Sequence, residues 1–240
     1  MRNKVTPSSI MKAGAQIEAL LENQYYEHRQ DPKALATLYI VRHAQCQSNP
    51  PNVIQGQIDS PLTELGWQQA QAIAHRLSSE SFSAAYSSDL SRARNTAELI
   101  AQRHSMPVIT TPLLRECCLG AAQGLTEAEF AALYPEDHKK WKSDPINNRP
   151  PGAERFEQVI DRCAEFLSQV RETHSLKENV LVVAHMGSIS GLICAALELP
   201  LHCYFAIEVA NASLSILKVQ TGEKPALVLL NDTCHLAGLA

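Results

Sequence analysis

Two histidines, two arginines and a glutamate stand where apolar runs of this chain end. Leu38 to Val41 gives way to Arg42 and His43, and Phe82 to Tyr86 is followed by Ser87-Ser88-Asp89-Leu90-Ser91-Arg92. The run at Val108 to Thr110 leads to Leu114-Arg115-Glu116, and Asn179 to Ala184 (NVLVVA) ends in His185-Met186-Gly187. These residue types suit phosphoryl transfer. A neutral imidazole is a good nitrogen nucleophile near pH 7. Two guanidiniums can clamp the oxygens of a transferring phosphoryl group. A carboxylic acid can protonate a leaving alkoxide and then take a proton from the attacking water. With Arg42, Arg92 and a second histidine supplying positive charge, the reading needs neither metal nor cofactor. A lone histidine at a strand end is more often structural. The reading rests on the recurrence of such residues at successive strand ends, where open α/β sheets place their ligands.

The elements that would position these residues alternate between strand and helix. Thr63 to Leu77 reads as a helix capped by Thr63, with Leu65, Ala70, Ile73, Ala74 and Leu77 at helical spacing. Ser91 to His104, Glu127 to Leu133 and Ser188 to Leu197 read likewise. The clearest helix is Glu154 to Thr173, whose Phe156, Val159, Ile160, Cys163, Phe166, Leu167 and Val170 form an apolar stripe. Ser213 to Val219 and Ala226 to Leu230 flank Thr221-Gly222-Glu223-Lys224-Pro225 and read as a hairpin. Pro135 to Pro151, with Pro145 and Pro150 between, reads as a long loop. The expectation is a doubly wound α/β domain over residues 38–240, with a mostly parallel sheet and helices on both faces. Residues 1–37 read as a helical extension, running from a Ser8 cap to about Arg29, that packs on the main body or on a partner chain. That leaves a homodimer open.

Composition narrows the function classes. The chain has 240 residues, 45% hydrophobic and 19% charged, with a net charge of −4. No basic field draws it to nucleic acid or an anionic membrane. No apolar run reaches the roughly 18 residues of a membrane span, and no uninterrupted apolar segment marks a signal peptide. The seven cysteines are an odd count without a CxxC, which fits reduced thiols and a cytoplasmic protein. In that setting Asn211-Ala212-Ser213 and Asn231-Asp232-Thr233 are chance glycosylation matches. Gly187-Ser188-Ile189-Ser190-Gly191 has Ile189 where a serine nucleophile would stand, and no GxxxxGK[ST] or GxGxxG occurs.

Arg42-His43-Ala44-Gln45-Cys46-Gln47-Ser48-Asn49 resembles the Arg-His-Gly-x-Thr-x-x-Asn motif of the histidine phosphatase superfamily, the phosphoglycerate-mutase-like proteins. Gln55-Gly56, Asp59 to Gly66, Ser87 to Ala93, Leu114-Arg115-Glu116 with Gln123 to Thr126, Gly152 with Glu154, and Val183-Ala184-His185 with Gly187 continue the resemblance in the family's order, over about residues 37 to 236. The resemblance implies that His43 carries the phosphoryl group, that Arg42, Arg92 and His185 hold its oxygens, that Asn49 lines the pocket and that Glu116 donates the proton. The Met186 N–H, at an expected helix start, would face the anion. Gln55, Gly56, Cys117 and Trp141 are the expected substrate-pocket residues. Ala44, Cys46 and Met186 depart from the family's Gly, Thr and Gly without removing a charged group.

The reading is a phosphatase for small-molecule phosphate monoesters. One alternative is a phosphoglycerate mutase, whose family members carry an Arg-Tyr type segment near the acid where this chain has Cys117-Cys118-Leu119-Gly120. Another is a catalytically weak protein that binds phospho-ligands. Glu127 to Pro151, with Phe130, Tyr134 and Trp141, is expected to form a lid over a partly apolar or ring-bearing substrate. Cys117 and Cys118 read as packing at the pocket wall, with oxidation sensitivity as the alternative.

Overall fold

The computed structural model describes residues 36–49, 53–174, 178–219 and 225–239. The two strands that are apolar on both faces lie side by side at the centre of the sheet. They are β1 (Ala36–Arg42) and β4 (Asn179–Ala184), the latter buried at every residue after Asn179. With β2 (Ala84–Ser88), β3 (Val108–Thr111), β5 (Leu214–Val219) and β6 (Ala226–Asp232) they form one sheet in the order β3-β2-β4-β1-β5-β6. The first four pair in parallel; β5 and β6 are antiparallel additions at one edge.

The alternation of side chains along β1 and β4 divides the core. Leu38, Ile40, Val180 and Val182 pack with Phe166, Leu167 and Ile189, under α5 (Phe156–Thr173) and α6 (Met186–Leu197). Val41, Leu181, Val183 and Leu214 pack on the opposite face with Ile73 and Ile100, under α1 (Glu64–Arg76) and α2 (Ser91–Gln102). The doubly wound, mostly parallel arrangement expected from the sequence is therefore the one observed. The expected N-terminal helix lies outside the described residues, as does most of the turn between β5 and β6; Ala36 and Thr37 already belong to β1.

Pro135 to Pro151 is not all loop. α3 (Glu127–Leu133) is followed at once by α4 (Pro135–Ser143). Pro135 occupies the first turn of α4, where a missing N–H costs nothing. Glu136 and Asp137 lie at the helix start and Lys140 and Lys142 near its end, matching the helix dipole. The α3–α4 pair closes around Phe130, which is fully buried against Tyr134, His138 and Trp141 at centroid distances of 5.4, 6.1 and 5.7 Å.

The loop after His43 is braced from behind by the start of α1. The Thr63 hydroxyl caps α1 by accepting from Gly66 N–H at 2.9 Å and donates to Gln45 Oε1 at 2.8 Å. Gly66 is required there, because a Cβ would sit 1.9 Å from the Gln45 carbonyl oxygen. Among the described residues no helix is long and apolar enough to cross a membrane.

Candidate active site

Parallel pairing of β1 with β4 places Arg42 beside Ala184, so His43 and His185 leave the sheet as neighbours. The His43 N–H donates to the Ala184 carbonyl at 2.9 Å, and the two rings lie 5.0 Å apart between centroids. His43 Nδ1 is 2.8 Å from the Ala44 carbonyl oxygen. A carbonyl only accepts, so Nδ1 carries the proton and Nε2 holds the free lone pair. Burial, with the charges of Arg92 and Arg42, holds the His43 pKa well below its usual 6.5. The same causes act on His185, where burial again leads and Arg92 follows. Neither ring nitrogen of His185 meets a hydrogen-bond partner among the described residues.

Of the two guanidinium side chains, Arg92 is buried and Arg42 partly so. Arg92, in the first turn of α2, is only 1% exposed, and it donates from Nη1 to the Ile58 carbonyl and from Nη2 to the Gly56 carbonyl, both at 2.8 Å. Arg42 donates from Nη1 to the Val209 carbonyl at 2.6 Å. Burial lowers both arginine pKa values, and the Glu116 carboxylate works in the other direction. The Nε of each arginine has no partner among the described residues. Buried donors with unused capacity around a neutral imidazole make an anion site, since an unpaired buried charge is costly.

Glu116 faces this group from the loop after β3. Its Oε1 accepts from the Cys117 N–H at 2.7 Å and from the Gly187 N–H, in the first turn of α6, at 3.0 Å. The loop is anchored by Arg162, whose guanidinium donates to the Leu113 and Glu116 carbonyls at 2.7 and 3.2 Å and pairs with Glu154 at 3.0 Å. Glu154 Oε2 in turn accepts from Cys118 N–H at 2.7 Å. Sequence reasoning reached Glu154 but not Arg162, which interrupts the apolar stripe of α5 between Ile160 and Cys163.

Arg42, His43, Arg92, Glu116 and Met186 line one cavity of about 720 Å³, as do the expected pocket residues Gln55, Gly56, Cys117 and Trp141. His185 lies beside it through its contact with His43. Asn49 is not among the lining residues. Its Oδ1 closes a turn by accepting from Cys46 N–H at 2.9 Å and from Cys46 Sγ at 3.2 Å. Burial pushes the Cys117 thiol up to about 12, so it is a packing group and not a reactive thiolate. His174 is held between Tyr86 at 2.9 Å and Glu178 at 3.0 Å.

The cavity also holds Arg149 and Tyr204, which sequence reasoning did not single out, and Phe156, which it read only as part of an apolar helix stripe. The Arg149 guanidinium stacks 3.8 Å over the Phe156 ring and donates to Cys117 Sγ at 3.1 Å and to the Glu154 carbonyl at 2.9 Å. Its place between Pro145 and Pro150 concealed it, because that stretch read as loop.

Two buried neutral histidines make stability depend on acid. Unfolded, each binds a proton at its usual 6.5; folded, each resists protonation to a lower pH. Their contribution is therefore complete above pH 6.5 and is lost as pH falls below it, at about 1.4 kcal/mol per pH unit for each histidine. We expect the urea midpoint in non-coordinating buffer to fall between pH 7 and pH 5, and to fall less steeply in His185→Gln. Parallel pH dependences in the two proteins would contradict the buried neutral state.

Comparison with known proteins places this geometry among relatives. A family model described as the histidine phosphatase superfamily, branch 1, matches residues 38–233. Phosphoserine phosphatase 1 of Hydrogenobacter thermophilus is 33% identical over 202 residues, covering 84% of this chain and 95% of that protein. A metal-independent phosphoserine phosphatase of Arabidopsis thaliana is 34% identical over 226 residues, covering 93% and 92%. Among solved structures, a mycobacterial glucosyl-3-phosphoglycerate phosphatase superposes with a TM-score of 0.76 at 31% identity, over 83% of this chain and 100% of its own.

Proposed function

Because the chain belongs to the histidine phosphatase superfamily, branch 1, we propose that it hydrolyses phosphate monoesters of small molecules through a phosphohistidine on His43. The observation that carries the reading is the meeting, in one cavity, of an imidazole with a free Nε2, two guanidiniums and a pinned carboxyl group. In the first step the Nε2 lone pair of His43 forms the N–P bond as the ester P–O bond breaks, and Glu116 gives its proton to the departing alkoxide. Both N–H donors hold Oε1 at 3.0 Å or less, while Oε2 meets the Gly187 N–H only at 3.3 Å and, as the less engaged oxygen, carries that proton. Arg42, Arg92 and His185 hold the phosphoryl oxygens, with the Met186 N–H as a further donor. In the second step water attacks phosphorus, Glu116 takes its proton, and the N–P bond breaks to return His43 and release phosphate.

The site suits a small substrate. Trp141, Phe156 and Phe205 give the cavity apolar walls, and α3–α4 supplies the wall that a lid would. Arg149, which forms no ion pair among the described residues, suits a second anionic group on the alcohol, such as the carboxylate of phosphoserine, on which two of the relatives are named as acting. The seven free thiols favour a reducing compartment, the cytoplasm.

The test is phosphate release from an aryl phosphate with EDTA present, followed by a panel of small phosphomonoesters that includes phosphoserine. Multiple turnovers are expected, and faster ones with anionic alcohols. A folded protein that releases no alcohol from any of these esters would overturn the proposal. Phosphoglycerate interconversion would then separate a mutase from a protein that only binds.

A further inference from the structure

Tyr204 brings a hydroxyl to the acid side of the cavity that nothing among the described residues uses. It lies in a 3-10 turn, Leu201–Ala206, and is only 6% exposed. Its ring is fixed between Phe156 at 4.8 Å and Phe205 at 5.5 Å. The hydroxyl oxygen is buried and has no partner among the described residues. A buried hydroxyl left unpaired costs roughly 1–3 kcal/mol, so one that is kept needs a use.

Gly187 indicates that use. A Cβ placed there would lie 2.2 Å from Glu116 Oε1 and 2.6 Å from the Tyr204 hydroxyl. The absent side chain at Gly187 leaves one small space, with the carboxylate on one side and the phenol on the other. The hydroxyl is also shielded from solvent.

We propose that Tyr204 is a positioning residue that donates its O–H to Glu116 Oε1 during turnover, completing a cradle with the Cys117 and Gly187 N–H groups. The inference rests on the reading of Glu116 as the acid. Tyr204 keeps the proton it donates, since burial, followed by the Glu116 charge, raises its pKa well above 10. With three donors on Oε1, Oε2, which meets the Gly187 N–H only at 3.3 Å, is the oxygen that carries the transferred proton. The other charged or titratable groups around the pair include Arg42, His43, Arg92, Arg149, Glu154, Arg162, His185, Cys117 and Cys163. The two thiols sit at about 12 and do not titrate in the working range.

Tyr204→Phe removes the donor and nothing else. For an alkyl phosphate, whose departure needs the acid, kcat/KM should fall about tenfold at neutral pH. For 2,4-dinitrophenyl phosphate, whose leaving group needs no proton, kcat/KM should stay within twofold of the wild type. In a Glu116→Gln background the same change should do nothing further to the alkyl ester. Equal losses on both esters, or an undiminished effect in Glu116→Gln, would each overturn the inference. The thermal midpoint of Tyr204→Phe, expected to match or exceed that of the wild type, separates these outcomes from misfolding. A wild type inert to both esters would instead count against the phosphatase reading itself.

Discussion

His43→Ala is expected to lose turnover by on the order of 10⁴-fold or more, with the fold intact, because it removes the atom that forms the covalent bond. In the proposed mechanism the other candidate residues hold the phosphoryl group or protonate the departing alkoxide; His43 alone presents a free ring nitrogen whose tautomer is set by the Ala44 carbonyl. The burial and positive surroundings that depress its pKa keep it unprotonated and nucleophilic well below pH 6.5. Activity in the wild type should therefore persist into mildly acid solution rather than fall away at the usual histidine pKa. Two measurements check this. Labelled phosphate retained on the protein after an alkaline quench should be present in the wild type and absent in His43→Ala. Residual turnover of one part in ten in a folded mutant would assign the nucleophile elsewhere.

Arg92→Met is expected to cut kcat/KM by about 10³-fold, the scale of removing one preorganised charge donor from a developing phosphoryl charge. Arg92→Lys should recover little of it. The guanidinium is held in a fork by the Ile58 and Gly56 carbonyls, a geometry a single ammonium cannot reproduce. The methionine variant has a second signature. After burial, the Arg92 charge is the largest influence lowering the His43 pKa. Removing it should raise that pKa, and the acid limb of kcat/KM should move to higher pH. A large rate loss with an unmoved acid limb would mean that the two side chains do not share one field.

How much of this was legible before the coordinates depends on the signal each residue carries. The strand ends were readable because NVLVVA and LYIV are apolar on both faces and can only be central, and the charges after them mark where each strand leaves the core. α4 was not, because it buries no residue of its own and so has no apolar stripe, and because Pro135 looks like a breaker until it is seen at a helix start. Asn49 carries a motif position, but its carboxamide oxygen is spent on a turn that is set by backbone geometry no pattern reveals. Tyr204 and Arg162 become visible only in three dimensions. Each depends on the chain crossing from the loop after β3 to α5 and α6, contacts that leave no periodicity in sequence.

The pairing of β1 with β4 also bears on how such a chain can diversify. The relation of His43 to His185 is set by the β1–β4 register, and that of Arg92 to both by β2 pairing with β4. The α3–α4 segment lies within the crossover between β3 and β4 and contributes no strand to the sheet. Its substitution or lengthening would leave both registers untouched. The reacting centre and the wall that meets the alcohol are thus mechanically separable. Exchange of residues 127–143 offers a route to new substrates that keeps the chemistry already in place.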